Sequence, residues 1–332
     1  MKAIQISEHG STDVLKQVEI DEPEITNPTE VKVKLKAAGV NPIDSKLRSG
    51  FYPETIAPVP AILGCDGAGI VESCGAEVSR FKEGDEVYFF HGGIKGIQGN
   101  YAEYIVLDQR LVSKKATSQN FNEAATSPIV LLTAWEALFE RANLQAGQTV
   151  FINAGAGGVG HTAIQLAKYK GAKVCTTISN EEKANFVKSL GADLILNYKK
   201  DNIEQAVLDW TDNKGVDIAL DNIGGTETQK LFPIIKHYGD LVTLLIADKE
   251  IDWSLARLKN IRFSFEVMLS PLLFDLEETQ IQQTKILEKC AKVIDEGKLK
   301  THVSETFALE QAAKAHQFIE DGHTTGKIVL EI

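Results

Sequence analysis

A glycine-rich run lies near the middle of the chain: Asn153-Ala154-Gly155-Ala156-Gly157-Gly158-Val159-Gly160. A strand-like apolar segment at 149–152 precedes it, a helix-like segment at 161–170 follows it, and three of its glycines have the spacing G-x-G-x-x-G. Such a turn needs a residue that tolerates positive φ, and a missing Cβ lets the backbone approach a pyrophosphate. The following helix offers unpaired N–H groups and the positive end of its dipole to an anion. We therefore assign residues 155–160 to a dinucleotide-binding loop; the alternative is a turn that only allows tight packing of helix on sheet.

The segments around this run alternate between strand and helix patterns. Predicted strands cover residues 149–152, 173–178, 194–197, 216–221, 240–245 and 261–269. Predicted helices cover residues 161–170, 181–190, 202–210 and 226–236. Several of these strands are nearly continuous apolar runs, which is typical of strands that helices cover on both faces. The pattern predicts an α/β domain with a doubly wound parallel sheet, the Rossmann arrangement, over residues 123–270.

The segments before and after this α/β region do not show its regular alternation of strands and helices. Strand patterns in the first part of the chain cover residues 2–6, 31–37, 67–73, 86–90 and 101–106. Asn122 is predicted to cap a helix, and a second helix is predicted over 131–142. The tail has a long helix at 276–296, a strand at 302–306, a helix at 309–321 and a strand at 327–332. We expect this tail to pack on the N-terminal, β-rich part.

The composition narrows the classes of partner. The net charge of −11 argues against a nucleic-acid partner, because phosphate backbones select basic surfaces. No apolar run reaches the length of a membrane span, and the N-terminus lacks the apolar region of a signal peptide. The four cysteines are scattered, with no C-x-x-C pair and no histidine at metal-ligand spacing. We expect a cytoplasmic protein that acts on a small molecule, without a membrane or nucleic-acid partner.

The type of dinucleotide is predicted from the end of the second strand of the α/β pattern. NAD-binding chains place a carboxylate about 20 residues after the glycine run, but residues 175–180 contain none. Thr177, Ser179, Asn180 and Lys183 could instead hold a 2′-phosphate. This favours NADPH over NADH. The alternative is a helix cap at Ser179 or Asn180 beside an ordinary surface lysine.

Further motifs place the chain in a family. They are Ala37-Ala38-Gly39-Val40-Asn41-Pro42-Ile43-Asp44, Arg48-Ser49-Gly50, Leu63-Gly64-Cys65-Asp66-Gly67-Ala68-Gly69, Gly84-Asp85-Glu86-Val87, Tyr101-Ala102-Glu103-Tyr104 and Leu132-Thr133-Ala134. With these motifs in this order, the chain resembles the medium-chain dehydrogenases/reductases over its whole length. It resembles most of all their zinc-free quinone oxidoreductase branch, which includes zeta-crystallin. The resemblance implies a GroES-like catalytic domain over 1–122 and 271–332, a Rossmann NADPH-binding domain over 123–270, and a homodimer that pairs through 261–269.

The resemblance also bears on zinc. Zinc-dependent members of the family place a cysteine where this chain has Asn41, a histidine where it has Cys65, and another cysteine near Ile129. Catalytic zinc needs three protein ligands, so we predict that the protein holds no metal. Without a Lewis acid, quinones and electron-poor C=C bonds are better hydride acceptors than ordinary ketones. The resemblance thus implies an NADPH-dependent reductase of quinones or α,β-unsaturated carbonyls. The alternatives are a zinc-type alcohol dehydrogenase and an NADPH-binding protein without turnover.

The same resemblance, and for Asn222 and Leu245 the carboxyl ends of two predicted strands, assign the remaining candidate site residues. The catalytic candidates are Asn41, Asp44 and Tyr52. Asp44 either orders its neighbours or shapes a turn, and Tyr52 is either a proton donor or a wall of the substrate pocket. The cofactor contacts outside the glycine run and the 2′-phosphate group are Thr133, Tyr198, Asn222, Leu245 and Lys327. For Lys327, a charged residue at the start of an edge strand is the alternative.

Overall fold

The computed structural model describes residues 1–322 and 324–332, so His323 lies outside the described residues. The chain forms two compact units, one of Met1–Leu132 with Leu269–Ile332 and one of Thr133–Met268. In the described part of the chain, no helix combines the length and apolar character that crossing a membrane requires.

The strands are, in chain order, β1 Lys2–Ile6, β2 Lys16–Glu19, β3 Glu30–Val40, β4 Ala61–Ile62, β5 Asp66–Cys74, β6 Glu86–Phe90, β7 Tyr104–Asp108, β8 Ser113–Lys114, β9 Thr149–Ile152, β10 Lys173–Ile178, β11 Leu194–Asn197, β12 Val216–Asp221, β13 Ile235–Thr243, β14 Arg262–Phe265, β15 Val303–Ala308 and β16 Lys327–Glu331. The α-helices are α1 Pro42–Arg48, α2 Phe121–Ala125, α3 Pro128–Trp135, α4 Gly158–Tyr169, α5 Glu181–Ser189, α6 Ile203–Trp210, α7 Ser254–Leu258, α8 Ser270–Leu273, α9 Glu277–Asp295 and α10 Ala312–Glu320. Short 3₁₀-helices lie at Thr12–Val14, Gln109–Leu111, Thr226–Leu231 and Leu309–Gln311, and Glu136–Arg141 is a π-helix.

The unit Thr133–Met268 is built on a parallel sheet with the strand order β11-β10-β9-β12-β13-β14. This is the doubly wound Rossmann order, so the predicted fold class is confirmed. Its core consists of apolar side chains such as Phe151, Cys175, Ala219 and Leu241, which β9, β10, β12 and β13 contribute. In this topology, the chain reverses its direction of winding between β9 and β12, and ligands bind at the carboxyl ends of the strands there.

The other unit is β-rich, as expected. Its larger sheet has the order β15-β16-β3-β5-β6-β8, with β7 also paired to β3, and β2-β1-β4 form a smaller sheet. The C-terminal strand β16 pairs antiparallel with β3, with Ile328 opposite Val40. This pairing places the start of β16 beside the end of β3, where α1 begins.

Several predicted boundaries are wrong for identifiable reasons. The helix predicted over 226–236 ends at Leu231, because Pro233 cannot donate to a helical carbonyl, and β13 starts at Ile235. The helix cap is Asn120 instead of Asn122, because its side chain accepts a hydrogen bond from the N–H of Glu123 in a capping box.

Three further segments differ from their predicted form. The helix predicted over 131–142 begins at Pro128 and continues after Trp135 as the π-helix. The strand predicted over 261–269 is only Arg262–Phe265. The strand predicted from residue 101 begins at Tyr104, because Tyr101 leaves the sheet to enter a buried hydrogen-bond network.

Candidate functional site

The glycine-rich loop is a sharp turn between β9 and α4. The turn does need a positive φ, but the residue that takes it is Ala154, at 50°, and not one of the glycines of the motif. The glycines meet a different need. A Cβ on Gly155 would overlap the Thr176 hydroxyl, and a Cβ on Gly160 would overlap the carbonyl oxygen of Ala154. These two glycines allow strand, turn and helix to pack closely.

Gly157 differs from the other two glycines of the motif. It precedes α4 with an extended backbone, at φ −78° and ψ 179°. Among the described residues, a Cβ on Gly157 would meet only the carbonyl oxygen of Ala154, at 3.2 Å. Gly158 and Val159 open the helix, and the N–H groups of its first turn have no carbonyl partner within it. This open, uncapped helix start fits a pyrophosphate.

The side chains predicted for the 2′-phosphate divide into two kinds. Thr177 is buried, and its hydroxyl accepts a hydrogen bond from the Ala154 N–H at 3.2 Å. Asn180 caps α5, because its Oδ1 accepts from the Lys183 N–H at 2.9 Å. Thr177 and Asn180 thus support the backbone around the loop. Ser179 and Lys183 are half-buried beside them.

A buried carboxyl organises the carboxyl ends of the central strands, and sequence reasoning missed it. Asp221 ends β12 and is completely buried. Its Oδ1 accepts from Asn153 Nδ2 at 2.8 Å and from two backbone N–H groups, at 223 and 224, at 3.0 Å. Its Oδ2 accepts from the Thr228 and Thr243 hydroxyls at 2.7 and 3.3 Å. One carboxyl group therefore joins β9, β12, β13 and the loop that follows β12.

Asn222 extends this network. Its backbone N–H donates to Asn153 Oδ1 at 2.6 Å, and its Nδ2 donates to the Asn153 carbonyl at 2.7 Å. Its buried Oδ1 has no hydrogen-bond partner among the described residues. An acceptor without a partner at the carboxyl edge of a Rossmann sheet fits a donor group of a bound dinucleotide.

The predicted catalytic residues Asn41 and Asp44 lie in a buried polar cluster of the β-rich unit. The Asn41 N–H donates to Asp44 Oδ2 at 2.8 Å, and its Nδ2 donates to Asp66 Oδ2 at 2.9 Å. Asp66 Oδ1 accepts from the Ile129 N–H at 2.9 Å. The Lys327 ammonium donates to the Val40 carbonyl at 3.0 Å and to Asn41 Oδ1. β16 is an interior strand, so the alternative of an edge-strand lysine is wrong.

The cluster holds two carboxyl groups with raised pKa values. Burial raises the pKa of Asp44 to about 7, although the Asn41 N–H opposes this shift. Burial also raises the pKa of Asp66 to about 6, although Lys327 opposes it. Burial lowers the pKa of Lys327, while Asp66 raises it. The pKa of the Cys65 thiol lies well above its usual range because of burial and the two carboxyl groups.

A chain of hydrogen bonds leads away from Asp44. The Tyr101 hydroxyl donates to Asp44 Oδ2 at 3.1 Å and lies 3.2 Å from His316 Nε2. His316 Nδ1 lies 3.4 Å from the Ser45 hydroxyl. Burial lowers the pKa of His316 to about 3, so its ring is neutral. Sequence reasoning missed Tyr101 and His316 as partners of Asp44, since 215 residues separate them from each other.

The other predicted residues occupy various positions within their units. Tyr52 is half-buried against the core of the β-rich unit, and burial raises its pKa. In the Rossmann unit, Thr133 is buried on α3, whereas Leu245, after β13, is 40% exposed. Tyr198, after β11, is 57% exposed. Their assignment to cofactor or substrate stays a prediction.

A second pair of acids, also missed, lies in the Rossmann unit. Glu136 opens the π-helix, and Glu266 follows β14. Burial and the neighbouring Glu136 raise the pKa of Glu266 to about 8, although the Arg141 Nε donates to it at 2.9 Å. The pair therefore holds a proton at neutral pH. The signal in the sequence was weak, because 130 positions separate the two acids.

Comparisons with known proteins agree with the geometry. A family model described as alcohol dehydrogenase GroES-like domain matches residues 27–117, and one described as zinc-binding dehydrogenase matches residues 190–330. The NADPH-dependent alkenal/one oxidoreductase of Arabidopsis thaliana is 35% identical over 99% of this chain and 79% of its own length. The quinone oxidoreductase of Pseudomonas aeruginosa is 32% identical over 99% of both chains.

This chain belongs to the medium-chain dehydrogenase/reductase superfamily. Among solved structures of this superfamily, the quinone oxidoreductase of Pseudomonas syringae has a TM-score of 0.86 and 32% identity, over 100% of this chain and 99% of that chain. The Escherichia coli quinone oxidoreductase, solved with NADPH, has a TM-score of 0.86 and 26% identity over all of both chains. A Staphylococcus epidermidis relative described as a zinc-type alcohol dehydrogenase-like protein is 31% identical over 91% of this chain and 90% of its own length.

The residues of this chain at the zinc-ligand positions of zinc-dependent members show whether it could hold the metal. The three compared positions, where zinc-dependent members have a ligand, are those of Asn41, Cys65 and Ile129. Asp66 accepts hydrogen bonds from Asn41 and Ile129 and directly follows Cys65 in the chain. Asn41 and Ile129 offer no imidazole or thiolate, so only Cys65 among the three compared positions has a side chain that binds zinc, whereas a catalytic zinc needs three protein ligands. The Lys327 ammonium lies on Asn41 Oδ1. These residues do not fit a zinc ion.

Proposed function

We propose that this protein is an NADPH-dependent oxidoreductase that transfers hydride to quinones or α,β-unsaturated carbonyls without zinc. The observation that carries the proposal is the uncapped start of α4, where a Cβ on Gly157 would meet a single protein atom, the Ala154 carbonyl oxygen. The relatives described as quinone and NADPH-dependent alkenal/one oxidoreductases support the substrate class and the cofactor. When bound, NADPH supplies the hydride, and the protein supplies position and a pocket from which water is excluded.

Each unit has a proposed task. The unit that carries Gly157 binds NADPH: the first turn of α4 holds the pyrophosphate, and Ser179 and Lys183 hold the 2′-phosphate. The Asn222 Oδ1 accepts a hydrogen bond from the cofactor. The β-rich unit supplies Asn41, Asp44 and Tyr52 to the substrate side. We also propose that the protein acts in the cytoplasm, where its four free cysteines stay reduced.

The proposal is tested with NADPH that carries deuterium on the transferred position. Deuterium recovered on a substrate carbon indicates C=C reduction, whereas quinone turnover without retained label indicates quinone reduction. Failure to turn over either class refutes the proposal and leaves an NADPH-binding protein without activity. One zinc per chain that is lost together with activity would instead indicate a zinc-type alcohol dehydrogenase.

Replacing Lys183 with alanine is expected to reduce the preference for NADPH over NADH by about tenfold or more. A charge-assisted hydrogen bond to a phosphate contributes about 1.5–3 kcal/mol, and only NADPH carries the 2′-phosphate. Fluorescence titration with both cofactors measures the two dissociation constants. Lys188→Ala, at the exposed end of the same helix, is the matched control. Equal losses for both cofactors, or a wild-type preference for NADH, would contradict the assignment.

The edge of the Rossmann sheet is expected to pair two copies of the chain. β14 is the last strand in the order of the sheet and bonds to β13 on one side, and Phe265 at its end and Val267 after it are 52% and 44% exposed. An exposed apolar edge strand favours pairing, and a two-fold axis closes the assembly. Light scattering at micromolar concentration should give twice 36.3 kDa, and Phe265→Lys should lower it to one chain. A monomeric wild type would reject the dimer.

A further inference from the structure

We propose that Lys327 is the built-in cation of the buried cluster: a positioning residue that fixes the Asn41 side chain and occupies the place that a metal takes in zinc-dependent relatives. The inference rests on the zinc-independent function proposed above, but its test uses the apoprotein and needs no turnover. The contacts of Lys327 with Val40, Asn41 and Asp66, all within the β-rich unit, carry it.

Strand pairing in the β-rich unit places the Lys327 ammonium beside Asn41. Pairing of β16 with β3 sets Ile328 opposite Val40, so Lys327 lies beside Asn41. Its side chain is 4% exposed, and its Nζ is 4.0 Å from Asp66 Oδ2. The Asn41 amide is thereby held at both ends, with its Oδ1 on Lys327 and its Nδ2 on Asp66. One rotamer of Asn41 is selected, because a flipped amide would point its NH₂ group at the ammonium.

The charges of the cluster require this cation. Asp44 and Asp66 are both completely buried, and Lys327 opposes the rise of both pKa values. The other titratable groups that face them are Cys65, Tyr101 and, one step further, His316, and these are neutral at pH 7. Arg48 lies beside His316 and pairs with Glu320. Lys327 is therefore the ammonium that compensates the two buried carboxyl groups.

The same ammonium opposes metal entry. A divalent ion at this place would lie against a buried positive charge, and its donors would be an amide, a buried thiol and carboxyl oxygens that are already hydrogen-bonded. The repulsion between the ammonium and a divalent cation is strong in a site from which water is excluded. We therefore expect the wild-type protein to bind no equivalent of zinc at micromolar concentration.

The test compares Lys327→Met with Lys115→Met in the apoprotein. Lys115 is a matched control, because its side chain is 3% exposed, donates to two carbonyls and pairs with Glu86, whose side chain is half exposed. Urea unfolding is measured from pH 5.5 to pH 8.5. Asp44 and Asp66 have raised pKa values in the folded state, so the stability that they contribute at low pH is lost as the pH rises through about 6 to 7.

Removal of Lys327 raises these two pKa values further and enlarges the loss. The unfolding equilibrium constant of Lys327→Met, relative to wild type, should increase at least tenfold between pH 5.5 and pH 8.5. The unfolding equilibrium constant of Lys115→Met, relative to wild type, should change little over the same pH range. A second variant, Lys327→Met/Asp66→Asn, should recover most of the pH dependence of wild type, because it removes the carboxylate that lost its partner.

Three results would overturn the inference: a pH-independent loss in Lys327→Met, no recovery in the double variant, or one equivalent of zinc bound by dialysed wild type. If Lys327→Met does not fold, Lys327→Arg and the double variant provide the comparison, and Lys327→Arg should follow the wild-type profile. An inactive wild type with the expected pH profiles would refute the proposed function and leave this inference standing.

Discussion

Replacing Gly157 with valine is expected to abolish NADPH binding and to leave the fold intact. In the described structure, a Cβ at this position lies 3.2 Å from the Ala154 carbonyl oxygen and meets no other atom, so a shift of that carbonyl by a few tenths of an ångström accommodates a side chain there. The backbone of Gly157 is extended, and valine adopts that conformation readily. The added methyl groups would instead fill the space that we assign to the pyrophosphate. We expect an affinity loss of at least 100-fold, or about 3 kcal/mol.

Two controls separate this effect from simple damage. Asn202→Val removes the residue that caps α6, which costs about 1 kcal/mol of stability, and should leave NADPH affinity unchanged. Gly155→Val places its Cβ on the Thr176 hydroxyl and should destabilise the unit itself. Calorimetric titration and thermal unfolding are measured for each variant. Tight NADPH binding by Gly157→Val would show that the pyrophosphate lies elsewhere.

The Rossmann sheet was the most predictable part of the chain. The bounds of β9, β10, β11 and β12 agree with the sequence prediction, because buried parallel strands are short apolar runs bounded by polar or glycine residues. The errors lie where one residue overrides a pattern. Pro233 ends a helical pattern, and Glu123 selects Asn120 over Asn122 as the cap. Ala154 takes the positive φ of the loop although its sequence neighbours include glycine.

The candidate site was predictable only where a local motif marks it. Asn41 and Asp44 belong to one short motif and do bond to each other. Their partners Tyr101, His316 and Lys327 come from distant segments, a loop before β7, the helix α10 and the strand β16, which meet only in the folded unit. No periodicity in a sequence records such contacts. The burial that shifts the pKa of Asp44 likewise depends on the complete β-rich unit.

Asp221 is the clearest of these missed residues, and replacing it should have the second large effect. Asp221→Ala leaves Asn153 Nδ2, the Thr228 hydroxyl and two backbone N–H groups without their buried acceptor. Hydrogen bonds to a charged group contribute about 1.5–3 kcal/mol each, and unpaired buried donors add a penalty. We expect a loss of about 3–5 kcal/mol in the free energy of unfolding.

The same substitution should weaken NADPH binding in the fraction of protein that stays folded. Asn153 holds both the N–H and the Nδ2 of Asn222, so loss of Asp221 releases the acceptor that we assign to the cofactor. Asp217→Ala is the matched control: this aspartate lies at the other end of β12, where it binds Thr149 and Lys236. It should cost stability without changing NADPH affinity. If Asp217→Ala and Asp221→Ala weaken NADPH binding equally, the carboxyl edge of β12 does not position the cofactor, and the role of Asp221 is confined to folding.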